Sequence, residues 1–185
     1  MNHRGTQQLE TERLILRRFT AADAPAMFRN WANDPEVTEY LIWPAYTSEK
    51  EAEDYLRTVE EQYRRIDFYE WAIVLKKIGE PIGSIGIVNT WECVSAMEVG
   101  YCIGQKWWRQ GLVPEALNAV GEFLFREVEI NRLEAKHDVQ NPASGTVMKK
   151  CGMVCEGTLR QSARYNRGIC DVCWYSILRD EFLPG

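Results

Sequence analysis

The sequence predicts an α/β domain built on a mixed, largely antiparallel sheet with helices on its faces. Three observations carry this. Apolar alternation and helical periodicity succeed each other in the order strand, helices, three strands, helix, strand, helix, strands. The 185 residues are 45% hydrophobic, enough at this length to bury roughly 70% of the unfolded surface. No internal repeat or Pro/Ser-rich linker interrupts them, so one domain is expected from Leu9 to Phe182.

Glu12 to Phe19 alternates and is bulky or β-branched, which predicts the first strand. Thr20 followed by Asp23 offers a helix start, and Asn33-Asp34-Pro35 ends that helix near Ala32. Ser48 with Glu51 is a second capping box, opening a helix whose apolar stripe is Ala52, Tyr55, Leu56, Val59 and Tyr63. Phe68–Leu75 and Pro81–Val88 read as strands joined by a short Gly-containing link, and Ala96–Ile103 as a third. A helix is expected from Pro114 to Arg126, a strand from Arg132 to Val139, and a short helix after Asn141 through Lys150. Strands over Met153–Arg164 and Ile169–Leu178 complete the series.

Charge narrows the function. Lys plus Arg is 22 against 27 for Asp plus Glu, a net charge of −5, which argues against nucleic acid as the main partner. No run approaches the ~18 apolar residues of a membrane span, so no membrane partner is expected. The polar start, Met1 to Thr6, shows no secretory signal, which points to the cytoplasm and to reduced cysteines. Cys151, Cys155, Cys170 and Cys173 could make a four-sulfur zinc site. Strand alternation turns Cys170 and Cys173 to opposite faces, so no metal is expected.

The most informative segment is Gly104 to Ala116, which joins a strand to an amphipathic helix with the stripe Val113, Leu117, Val120 and Leu124. Pro114 suits a first helical position, and Gly111 permits a tight turn or close backbone approach just before it. A turn entering a helix presents unpaired N–H groups and the positive end of the dipole, an arrangement that favours phosphate. An ordinary connection has the same look, and the geometry alone leaves both readings open.

Trp107-Trp108-Arg109-Gln110-Gly111-Leu112-Val113-Pro114-Glu115-Ala116 resembles the acetyl-CoA pyrophosphate loop of GNAT N-acetyltransferases, in the RimJ/RimL-like branch. Leu9–Arg17 resembles that branch's opening strand, and Met97-Glu98-Val99-Gly100-Tyr101 its E-x-G-Y strand. Asn141-Pro142-Ala143-Ser144, then Lys150-Cys151-Gly152-Met153 and Glu156-Gly157, resemble its later elements in order and spacing. The loop departs from the pattern at Arg109, where a Gly is usual, and at Val113, where Gly or Ala is usual. Pro114 also removes an N–H, so the cradle must rely on Gln110 to Val113, with the Arg109 guanidinium as an alternative phosphate partner.

The resemblance implies a twisted sheet of six to seven strands with about four helices and splayed central strands. It implies transfer of acetyl from acetyl-CoA, as cosubstrate, to a primary amine by direct attack in a ternary complex. Cofactor-binding residues would be Tyr101, Ile103, Trp108, Arg109, Gln110, Gly111, Leu112, Val113 and Asn141. The catalytic pair would be Glu98 as base and Ser144 as proton donor to the leaving thiolate.

Glu98 shares its face with Ala96, Gly100 and Cys102, an apolar row that suits proton abstraction near neutral pH. A structural glutamate held by an Arg or by backbone amides is the alternative. His137 is a second candidate base. Ser144 could equally be a helix cap. Relatives often carry a Tyr seven residues after the Asn; Met148 stands there. Lys149 and Lys150 are candidates for the ribose phosphate, and Trp43-Pro44-Ala45-Tyr46 for the acceptor pocket. The acceptor could be a peptide N-terminus, polyamine, amino acid or antibiotic, and a homodimer is compatible with the sequence. A non-catalytic CoA-binding or zinc-stabilised module is the rival from another class.

Overall fold

The computed structural model describes residues 1–183. Eight strands form one sheet: β1 (Leu9–Glu10), β2 (Leu14–Arg17), β3 (Glu70–Leu75), β4 (Glu80–Trp91), β5 (Ala96–Ile103), β6 (Arg132–Asp138), β7 (Val154–Tyr165) and β8 (Gly168–Leu178). Their spatial order is β1-β2-β3-β4-β5-β6-β8-β7. Every neighbouring pair is antiparallel except β5 and β6. The helices are α1 (Ala24–Met27), α2 (Pro35–Thr38), α3 (Glu49–Gln62), α4 (Leu112–Phe123), α5 (Pro142–Lys150) and α6 (Arg179–Phe182).

The strand count exceeds the expected six to seven because a short strand, Leu9–Glu10, precedes the expected first strand and pairs with it. Leu14 N donates to Thr11 Oγ1 at 3.0 Å, and a turn at Thr11 folds β1 back onto β2. The first helix is also broken up. Asp23 accepts from Thr20 N at 2.9 Å, as the capping pattern predicts, but Asn33 N reaches back to Phe28 O, a wide final turn. Arg17 forks onto Asp23 at 2.8 Å and ties β2 to this turn. Pro35 does end the helical path, and then opens α2 under an Asp34 cap.

Alternation on the central strands serves two cores. Trp71, Ile73, Ile85, Met97 and Val99 face a cluster completed by Leu117, Val120 and Phe123 of α4 and by Met148 of α5. Ala72 and Val74 face the other side, under Met27 of α1, Trp31, and Ala52, Leu56 and Val59 of α3. β5 therefore lies between two packed layers, and any site along it must open at its unpaired edge.

Candidate functional site

That edge exists. β5 and β6 run parallel and face each other at only three positions, Ala96/Arg132, Met97/Leu133 and Glu98/Glu134. Beyond Glu98 the strands part, although β5 continues to Ile103 and β6 to Asp138. On its other side β5 pairs with β4, with Gly100 opposite Gly86 and Cys102 opposite Ser84. Gly104 N donates to Ile82 O at 2.9 Å. Antiparallel pairs alternate, so Gly100, Cys102 and Gly104 turn their main-chain groups to β4, while Val99, Tyr101 and Ile103 turn theirs to the gap. The Ile103 carbonyl accepts from Trp108 Nε1 at 2.8 Å, which closes the far end.

The loop between β5 and α4 stands at that end. Trp107 N donates to Gly104 O and Trp108 N to Gln105 O, a tight turn anchored by the buried Trp107 ring. The chain then takes the left-handed conformation at Arg109 (φ 60°) and at Gly111 (φ 75°). Glycine holds such a φ freely and arginine does not. Arg109 thus adopts the backbone conformation that suits the Gly of the related pattern. α4 begins at Leu112, so Pro114 is its third residue rather than its first. The missing proline N–H still falls among the four orphans of a helix start. Among the described residues, no acceptor is found for the N–H groups of Arg109, Gln110, Gly111, Leu112 or Val113. Leu112 and Val113 bury their side chains in the core.

The loop is tied to the opposite edge of the sheet. Arg13, just before β2, donates Nη1 to Gln110 O at 2.9 Å and Nε to Glu115 Oε2 at 2.6 Å. Its main-chain N and the Thr11 hydroxyl both donate to Glu115 Oε1, at 2.9 and 2.5 Å. Burial raises the Glu115 carboxyl, but these hydrogen bonds outweigh it and hold the group below the usual range.

Glu98 lies at the apex where β5 and β6 separate, 3% exposed. Its row is not apolar as expected. Lys136 Nζ, from the parting strand β6, pairs with it at 3.0 Å, and Asn89 Nδ2 donates to it at 2.7 Å. A bulge between Ile87 and Asn89 puts Asn89 opposite Glu98. The Lys136 ammonium also lies 4.8 Å from the Trp174 ring centroid.

Asn141 caps α5, its side chain accepting from Ser144 N at 3.4 Å. The cap is thus Asn141, and Ser144 is free for another bond. Its Oγ lies 3.0 Å from the Tyr101 hydroxyl. Tyr101 Oη also donates to Ser144 O at 3.1 Å, so Tyr101 crosses the gap from β5 to the first turn of α5.

The family model of the acetyltransferase (GNAT) domain matches residues 13–154. The chain belongs to that family. The uncharacterized N-acetyltransferase YoaA of Bacillus subtilis is 33% identical to this chain, over 92% of it and 96% of YoaA. The ribosomal-protein-serine acetyltransferase of Escherichia coli is 27% identical, over 80% of this chain and 82% of its own. The solved structure of RimL, a ribosomal L7/L12 α-N-protein acetyltransferase in complex with coenzyme A, superposes with a TM-score of 0.82 at 22% identity. That superposition covers 93% of this chain and 98% of RimL. The protein is an acetyltransferase with the GNAT fold.

The remaining candidates of this GNAT chain are dispersed. His137 is buried on the face opposite Glu98, its Nδ1 2.7 Å from Asp138 O and its ring against Tyr175. Lys149 and Lys150 are exposed in the last turn of α5. That turn abuts the start of α4, where Cys151 Sγ contacts Pro114 O. Met148 is core. The Trp43 and Tyr46 rings meet at a tilt, 5.2 Å between centroids, over the layer that holds Cys102. Among the described residues no group of three or more His, Cys, Asp or Glu side chains could hold a metal ion, and no helix is long and apolar enough to cross a membrane. Sequence reasoning missed Arg13, Lys136 and the Tyr101 hydroxyl. The first two act through partners far along the chain, and no local pattern signals them.

Proposed function

We propose that this GNAT-family protein transfers the acetyl group of acetyl-CoA to a primary amine within a ternary complex. The single observation that carries the reading is the row of free amides at residues 109–113, set at the mouth of the only parallel pair among the described strands. Five N–H groups at a helix start, two of them on left-handed residues, suit the two phosphates of a diphosphate. The residues present fit the group: the amides lack internal partners, and the Val99, Tyr101 and Ile103 main chain supplies an edge for an extended arm.

Acetyl-CoA brings an activated acetyl thioester. The chain supplies the rest. Gln110, Gly111, Leu112 and Val113 hold the diphosphate, with Arg109 and Trp108 beside it. Tyr101, Ile103 and Asn141 bond the pantetheine arm. A gap-facing N–H of Val99 or Tyr101 polarises the carbonyl under attack. Glu98, at the apex, takes the proton from the incoming amine directly or through water, with Asn89 and Lys136 fixing its carboxylate. Ser144 donates its hydroxyl proton to the leaving thiolate and regains one from solvent, while Glu98 releases the amine proton to solvent.

The E. coli relative's name, a ribosomal-protein-serine acetyltransferase, supports a protein acceptor, and a small amine remains within reach of the same chemistry. Thiol release from acetyl-CoA, measured across peptides beginning with Ser or Ala, polyamines, amino acids and aminoglycosides, tests the reading. Release above background hydrolysis with one acceptor class supports it. No release with any acceptor counts against it.

A further inference from the structure

We propose that Arg13 is a positioning residue for the diphosphate loop, acting by holding the Gln110–Gly111 peptide in the one orientation that leaves the loop's amides outward. The inference rests on the cofactor reading above. Three observations lead to it. The Arg13 guanidinium bridges the loop and α4, with Nη1 on Gln110 O at 2.9 Å and with Nε and Nη2 on Glu115 Oε2, each at 2.6 Å. Gln110 lies between two left-handed residues, Arg109 and Gly111. Its carbonyl is the one main-chain acceptor in the turn that a half-rotation of the 110–111 peptide would swing to the amide side. An oxygen there would repel a phosphate and remove the Gly111 N–H from the cradle.

Arg13 answers that hazard with a hydrogen bond from a cation, the stronger class of such bonds. The fork geometry matters. A flat guanidinium reaches a carbonyl and a carboxylate at once, and a lysine ammonium does not reproduce that span. Arg13 is remote from the reacting atoms, at the start of β2, and works through the peptide it holds.

Calorimetric binding of coenzyme A and of pantetheine, which lacks the diphosphate, to the full chain and its variants tests this. In the wild type, coenzyme A must bind; if it does not, the cofactor reading fails rather than this inference. Arg13→Met should weaken coenzyme A by roughly tenfold or more, the loss of one charge-assisted bond, and leave pantetheine within about twofold. In turnover the KM for acetyl-CoA should rise in step while kcat stays within about twofold, the signature of lost uniform binding. Arg13→Lys should recover only part of the affinity. The double variant Arg13→Met/Glu115→Gln, which removes the charge that Arg13 offsets, should stay weak. Should Arg13→Met fail to fold, the Arg13→Lys affinity decides. Unchanged coenzyme A affinity in folded Arg13→Lys and Arg13→Met, equal losses for both ligands, or rescue in the double variant would each overturn the positioning role.

Discussion

The Tyr101 hydroxyl lies 3.0 Å from Ser144 Oγ, so one side chain of β5 spans the gap to the first turn of α5. The two hydroxyls have different weights. In the proposed mechanism Tyr101 holds the geometry of the gap and Ser144 carries the proton. Ser144→Ala should lower kcat by roughly tenfold or more and leave the KM for acetyl-CoA nearly unchanged. Tyr101→Phe should cost about 1 kcal/mol in urea unfolding and only a few-fold in kcat. Equal kcat for wild type and Ser144→Ala would remove Ser144 from the mechanism.

Glu98 is the next test. Glu98→Gln keeps the shape and the Asn89 contact but cannot accept a proton. With Glu98 as base, kcat/KM should fall by roughly a hundredfold or more, and coenzyme A affinity should hold. Activity within threefold of wild type would make Glu98 a structural partner of Lys136.

Glu70 tests the electrostatics of the layer beneath α3. It points across Gly86 toward Ser84 and Cys102, with Tyr55 above, and no basic side chain pairs with it among the described residues. Burial pushes its carboxyl up to about 7. The folded state therefore binds a proton that the unfolded chain, with a carboxyl near 4.3, has already lost. The contribution is full below about pH 4.3 and fades as pH rises through about 7. Glu70→Gln should thus gain on wild type between pH 5 and pH 7, by at most about 1.4 kcal/mol for each pH unit crossed, with no further gain once the folded carboxyl is ionised as well. Urea midpoints at the two pH values measure it, and a pH-independent difference would contradict it.

Arg109 holds a φ of 60°. Arg109→Gly relieves that conformation at a smaller entropic cost, and should raise stability by about 1 kcal/mol, or roughly 2–4 °C in Tm. A lower Tm would mean that the guanidinium contributes more than the backbone loses.

Much of this architecture was legible in the chain. Ala96–Ile103 is a strand over its full expected span, because alternation is clean and Gly104 stops it. Asn141 before Pro142 marks a helix start, and α5 begins there. The amides ahead of α4 follow from Gly111, although Pro114 suggested a start two residues late. What stayed hidden depends on contacts distant in sequence. Arg13 and Glu115 are separated by 102 positions, and Glu98 and Lys136 by 38. The apolar row expected around Glu98 failed because β6, not β5, supplies the charge beside it. The extra strand at Leu9–Glu10 turns back onto β2 at one hydroxyl, Thr11, that no periodicity registers.

The central claim is that five amides grip a diphosphate. The direct measurement is the ¹H–¹⁵N spectrum of the labelled protein, titrated with coenzyme A and separately with pantetheine. The account predicts that the amide resonances of Arg109, Gln110, Gly111, Leu112 and Val113 shift strongly with coenzyme A and little with pantetheine. Saturable coenzyme A binding that leaves those five resonances in place would contradict it.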